Sequence, residues 1–247
     1  MKIDEYRKRK QEHLLQFNSH RESCFSCFQP SFSCYCEHVK RFDPEMKFVI
    51  LIHPIERRRR IATGRMTHLC LENSDLIIGE DYSDDVRVNS ILSDPNYHPV
   101  MLYPGVGSTD ISLLKTEERG PLFPKDKKLA VFVIDGTWNT ARRMVRSENL
   151  RGLQRICFTP SAPSTFRVRK QPKEGCVSTI EAVHETIELL GAREGFDVAS
   201  RRHDNLLFVF DQLVENQLKF ITEVKSSRQA ASKIARLAKA AIGKKSA

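Results

Sequence analysis

No stretch of this 247-residue chain stays apolar for the roughly 20 residues needed to cross a bilayer, so no helical membrane span is expected. The opening residues, Met1-Lys2-Ile3-Asp4-Glu5-Tyr6-Arg7, are polar and lack the apolar core of a secretory leader, which makes the cytoplasm the expected compartment. Tryptophan is nearly absent; the single one is Trp138. Acid is in deficit, with 31 Asp and Glu against 40 Lys and Arg, and from Lys225 onward there is none. The resulting net charge of +9 favours polyanionic partners, because each cation that neutralises a phosphate releases condensed counterions. No internal repeat is present. Cysteine is not scarce, but its seven copies are odd in number and four crowd together, unlike a secreted disulfide framework.

What is present reads as a globular α/β protein. Short apolar runs at 48–52, 76–78, 100–103, 129–134 and 155–158 are rich in β-branched, aromatic and leucine residues. Each has the length and composition of a buried strand, and polar, helix-compatible segments lie between them. Strand followed by helix, repeated in this way, predicts a mostly parallel sheet with helices on both faces. Ser178-Thr179-Ile180-Glu181 is a capping box, and Ile180, Val183, Ile187 and Leu190 then share one face, with Gly191 placed to end the helix. Thr137 is placed to cap a second helix carrying Ala141, Met144 and Val145. Four divisions are expected: a charged arm over 1–22, a cysteine knuckle over 23–40, the α/β domain over 41–222, and a basic amphipathic tail over 223–247.

Cys24-x-x-Cys27 and Cys34-x-Cys36 lie close enough for one tight loop to gather four thiolates around a tetrahedral ion, and zinc suits four sulfurs. Such a closed site has no open position, so the metal would be structural. Two disulfides or scattered buried thiols are the other readings of the spacing. Phe25, Phe28, Phe32 and Tyr35 interleave the ligands and are expected to pack beneath them; stacking on bases is the alternative.

In an open parallel sheet, ligands bind beyond the carboxyl ends of the strands. The first such end reads His53-Pro54-Ile55-Glu56, followed by Arg57, Arg58, Arg59 and Arg60 and then Thr63-Gly64-Arg65. Four successive arginines suit a phosphate-facing strip, with a solvated face as the plain reading. The third end is Leu102-Tyr103-Pro104-Gly105, and the fourth is Asp135-Gly136-Thr137-Trp138. An acid, a glycine, a cap and a large ring at a helix entry suit a ligand pocket; the plain reading makes Asp135 a helix-dipole partner and Trp138 core. After the fifth strand, a long loop over 159–172 carries Arg167, Arg169 and Lys170.

Together these segments resemble the DTW-domain family, the tRNA-uridine aminocarboxypropyltransferases. The resemblance rests on Asp135-x-Thr137-Trp138, the four-cysteine motif, His53-Pro54-x-Glu56, Thr63-Gly64-Arg65, Tyr103-Pro104-Gly105, and Arg167-x-Arg169-x-Gln171-Pro172 with Ser178–Ala182. They occur in family order over about residues 24 to 190, and the order is more specific than any single tetrapeptide. Ala62 and Phe166 depart from the pattern, where a polar residue and a tyrosine are expected. The resemblance implies a SPOUT-like fold with a C-terminal trefoil knot and transfer of the aminocarboxypropyl group of S-adenosylmethionine to uridine N3 in tRNA, releasing methylthioadenosine. It further implies a catalytic role for Asp135. Leu102, Tyr103, Pro104, Gly105, Thr137, Trp138, Arg167, Arg169, Ser178 and Thr179 are expected at the cofactor, and Arg57, Arg58, Arg59, Arg60 and Lys170 on RNA. An RNA methyltransferase of the same fold and a non-enzymatic zinc-containing RNA-binding module are the competing classes. The oligomeric state is not legible in the sequence.

Overall fold

The computed structural model describes residues 23–57, 59, 61–166 and 175–222. Six strands form one sheet: β1 Lys47–Ile52, β2 Ser74–Ile78, β3 Tyr97–Leu102, β4 Thr109–Asp110, β5 Lys128–Asp135 and β6 Gln154–Cys157. Their order is β2-β1-β5-β3-β6-β4, and every pairing is parallel. The five expected strands are all there, displaced by at most a few residues. The added one, β4, pairs only Thr109 with Ile156 and Asp110 with Cys157, too short to leave a pattern in sequence.

The helices are α1 Pro54–Arg57, α2 Thr63–Cys70, α3 Val86–Ser93, α4 Thr116–Arg119, α5 Trp138–Met144 and α6 Thr179–Glu194, and residues 204–222 form α7. Strand β5 shows why they divide between two faces. Leu129, Val131 and Val133 point into a core shared with Met66 and Cys70 of α2, Ile180, Val183, Ile187 and Leu190 of α6, and Leu206, Val209, Phe210 and Leu213 of α7. Ala130 and Phe132 point the other way, against Val88, Met144, Val145 and Leu150. A two-residue period on a doubly covered strand yields this continuous apolar run. Each fully buried aliphatic side chain contributes about 1.5–3 kcal/mol against its exposed state.

Both expected caps form. Thr137 accepts from the Thr140 amide at 3.3 Å, and the Ser178 amide donates to Glu181 at 2.7 Å. The expected stop at Gly191 is corrected: α6 runs on to Glu194 and ends at Gly195, whose φ of 96° suits glycine. Gly191 instead lets two segments approach, since a Cβ there would lie 3.2 Å from Val198 and 3.3 Å from Phe196. The cysteine loop belongs to the same core, because Cys27 and Tyr35 pack with Phe42 and Met66. The arm over 1–22 and the tail over 223–247 lie outside the described residues. Among the described residues no helix is long and apolar enough to cross a membrane.

Candidate active site

Strand β3 lies between β5 and β6, so the loops that leave these three neighbours converge at one edge of the sheet. There they enclose a cavity of about 420 Å³, closed on its far side by the start of α6. That volume lies within the range of about 300–1,000 Å³ common to small-molecule sites. Leu102, Tyr103 and Pro104 line it from β3, Asp135, Gly136, Thr137 and Trp138 from β5, and Ser178 and Thr179 from α6. Gly105 sits beside this wall at an exposed turn and is not among the lining residues. Arg167, Arg169 and Lys170 lie outside the described residues.

Asp135 occupies the buried end of β5. Its Oδ1 accepts from the Thr179 hydroxyl at 2.8 Å, and its Oδ2 accepts from the Gly64 amide at 3.2 Å. Donors to both oxygens fix the plane of the carboxyl group. Glycine is required at 64, since a Cβ would stand 2.4 Å from Asp135 Oδ2. The Thr63-Gly64-Arg65 motif therefore supplies one of the aspartate's anchors; the motif is visible in sequence, its partner is not. Trp138 is 40% exposed, so it is not core; its ring lies 6.3 Å from that of Tyr103, tilted by 55°. Two aromatic faces thus flank the mouth.

Glu181 does more than cap. Besides the Ser178 amide it accepts from Ser164 Oγ at 2.8 Å and from the Thr165 amide at 2.8 Å. One buried-edge carboxylate therefore ties the loop after β6 to the start of α6. Phe158, Pro160 and Phe166 of that loop also line the cavity, with Cys157 and Cys176, and sequence reasoning named none of them for it. Phe166, where a tyrosine was expected, packs edge-on against Phe210 at 5.2 Å.

The four N-terminal thiols converge. Cys24 and Cys36 sulfurs stand 3.6 Å apart, as do those of Cys27 and Cys34, and all four lie within 4.8 Å of one another. Four sulfurs around zinc at about 2.3 Å would be separated by about 3.8 Å along the edges of a tetrahedron. The cysteines are free thiols and the donor set fits a closed zinc site. The Cys27 and Ser26 amides, aimed at the Cys24 sulfur, draw its pKa down to about 6 and favour the ligating thiolate. Of the interleaved aromatics, only Tyr35 packs fully beneath the ligands, at 2% exposure. The expectation of packing fails for Phe25 at 96%, Phe32 at 60% and Phe28 at 51% exposed, because the loop is too small to cover four rings.

Arg57 is exposed, whereas Arg59 is paired with the buried Glu56 at 3.0 Å, which offsets part of the expected cationic strip. Arg58 and Arg60 lie outside the described residues. His53 is buried at the end of β1: its amide donates to the Asp135 carbonyl at 3.0 Å and its Nδ1 accepts from the Ile55 amide at 3.2 Å. Its backbone bond registers β1 against β5, and its Nε2 lies 3.6 Å from Glu80. A second convergence joins His184 and Glu188 of α6 to His203 and Asp204, and Arg201 bonds both carboxylates. Arg201 thus offsets part of the negative charge of the two carboxylates.

The DTW-domain model matches residues 21–218, well over half of the chain. The chain belongs to the DTW-domain family. Curated relatives are named tRNA-uridine aminocarboxypropyltransferase 2 in Drosophila melanogaster, 28% identical over 70% of this chain and 68% of the relative, and in Mus musculus, 26% identical over 69% and 57%. A third, tRNA-uridine aminocarboxypropyltransferase A of Arabidopsis thaliana, is 26% identical over 83% of this chain and 84% of its own length. The chain thus spans between about half and four-fifths of these DTW relatives. No solved structure matches it significantly.

Proposed function

We propose that this DTW protein is a transferase that moves the 3-amino-3-carboxypropyl group of S-adenosylmethionine onto N3 of a uridine in tRNA, releasing methylthioadenosine. The observation that carries the reading is the convergence of the Tyr103 turn, the Asp135–Trp138 motif and the Ser178–Thr179 cap on one cavity, in a family whose curated members are named for this activity. Such a cavity has aromatic rings for a nucleoside and an oriented carboxyl group at its buried end. The SPOUT class, with its C-terminal trefoil knot, is proposed on the resemblance and on the parallel sheet.

In this reaction a bond forms between uracil N3 and the γ-carbon of the methionyl moiety. The sulfur–carbon bond breaks, its electron pair returns to sulfur, and the N3 proton must leave. S-adenosylmethionine is a substrate here, and its sulfonium supplies the leaving group. Asp135 is the residue proposed to take or hold the N3 proton, its orientation set by Thr179 and Gly64. Tyr103 and Trp138 would flank the bound nucleoside and hold the reacting carbon in line. Glu181 is a positioning residue that fixes the wall formed by residues 164–166. The cysteine site would hold a structural zinc, and exposed cations, Arg57 first among them, would meet RNA phosphates. The cytoplasm is the proposed compartment.

Incubating the purified protein with unmodified transcribed tRNA and S-adenosylmethionine tests the proposal. Nucleoside mass spectrometry should find aminocarboxypropyluridine, and the small-molecule fraction should hold methylthioadenosine. Adenosylhomocysteine in its place would identify a methyltransferase, and no cofactor turnover with intact RNA binding would identify a binding module.

A further inference from the structure

Phe25 and Phe28 sit within the turn that the cysteines close, yet neither ring is buried. The interior beneath the turn is already filled by Cys27 and Tyr35. Backbone bonds hold the turn rigid: the Cys24 amide donates to the Gln29 carbonyl at 2.8 Å, and the Phe28 amide to the Cys24 carbonyl at 2.8 Å. Phe28 adopts φ of 57°, a left-handed conformation in which glycine would be comfortable and a bulky residue is not. The backbone of the turn therefore gains nothing from a phenylalanine at this position.

The surroundings of the ring indicate its use. The Arg65 guanidinium lies 4.2 Å from the Phe28 centroid, and Arg65 Nη2 donates to the Arg57 carbonyl at 3.1 Å. Arg57 begins the run of four arginines. The residue before Arg65 is Gly64, whose amide holds Asp135, and Thr63 lines the cavity. Phe28 thus lies against a buried cation whose neighbour Gly64 anchors Asp135, and Arg57, bonded to that cation, is exposed. Glu37 is the single acid among residues 23–40, and it lies 3.4 Å from His38.

We propose that Phe25 and Phe28 form a stacking platform for unpaired nucleotides that flank the target uridine in tRNA. This inference rests on the tRNA reading above. Aromatic faces beside a cationic track are the usual means of holding single-stranded RNA, because every base offers a π-face.

The test compares wild type with the Phe25→Ala, Phe28→Gly double variant in fluorescence anisotropy titrations with a pool of unmodified transcribed tRNAs. Phe28→Gly removes the ring while relieving the backbone, so the turn should keep its zinc and its stability. The affinity for tRNA should fall by roughly 5- to 150-fold for each base that loses its stack. Zinc content and the slope of log affinity against log salt should be unchanged, since the four thiols and the phosphate contacts remain. The proposal is overturned if wild type binds tRNA and the double variant binds within twofold of it. An equal loss on a blunt-ended, fully paired RNA duplex would also overturn it, because no unpaired base is there to stack. So would a concentration-dependent dimer of wild type in sedimentation that the double variant abolishes, which would make the face a protein interface. Should wild type show no tRNA binding at all, the tRNA reading fails first and the platform with it.

Discussion

At the scale of single residues, Asp135 and Trp138 separate chemistry from binding. Asp135→Asn preserves size, and its amide can keep both anchors: the remaining oxygen accepts from Gly64 while the amide nitrogen donates to the Thr179 hydroxyl, which can rotate to accept. The charge is removed while these two bonds are kept. The variant should therefore retain S-adenosylmethionine affinity within a few-fold, yet form methylthioadenosine about 10²–10⁴-fold more slowly in single turnover, the usual contribution of a positioned base. A wild-type rate would show that placement alone drives the reaction. Trp138→Ala removes an exposed wall rather than a core side chain, so the fold should persist. It should cost about 2 kcal/mol or more of nucleoside binding by calorimetry, as expected for an aromatic anchor. Unchanged affinity would return Trp138 to the status of an ordinary surface ring.

Among the elements, strands and caps were readable from local chemistry, and tertiary partners were not. The apolar run at 129–134 announces β5, and Ser178 with Glu181 announces α6, because both signals lie within a few residues. Gly191 misleads for the complementary reason: a glycine late in a helix signals a stop, but here it answers to Val198 and Phe196. Likewise Glu181 advertises a cap, while its bonds to Ser164 and Thr165 join segments about 16 residues apart. The network between α6 and α7 was invisible in sequence, and it makes a prediction. Burial lowers the pKa of His203, whose ring also bonds Glu188. Glu188 and Asp204 end below their ordinary values too; burial acts to raise them, and the bonds from His203, His184 and Arg201 more than reverse it. All three shifts favour the folded state at neutral pH. The stability from His203 is present above the ordinary histidine value of about 6.5 and is lost as pH falls through its lower folded value; the carboxylate part is lost below about pH 4. Urea unfolding of wild type should thus weaken from pH 7 to pH 5, and His203→Gln, which can still donate to Glu188, should weaken less over that interval. An equal loss in both proteins would remove His203 as a source of the acid sensitivity.

Over the whole molecule, the cysteine loop packs on the core through Cys27 and Tyr35 and is joined to α2 and α7 by further contacts, and this sets what metal removal should do. Arg65 stacks on Phe28 at the start of α2, next to the glycine that anchors Asp135. On the other side, the Lys40 amide donates to Asn205 at 2.8 Å and Asn205 donates to the His38 carbonyl at 2.9 Å, fastening the end of the loop to the start of α7. A four-thiolate site with no metal places like charges or desolvated thiols in contact, and burial already drives the Cys27 and Cys36 thiols upward in pKa. The loop should not hold its shape in that state. Elemental analysis should find one zinc per chain in wild type and none in Cys24→Ser. Hydrogen exchange of the variant should then quicken over 23–39 and, through the two joints, at the first turns of α2 and α7, while the central strands β1, β3 and β5 keep their protection. Because α2 carries Gly64, S-adenosylmethionine affinity should fall with the metal although no cysteine of the cluster lines the cavity. Metal-free wild type with unaltered exchange in these segments would refute a structural zinc, and exchange confined to 23–39 would show that the joints do not transmit its loss.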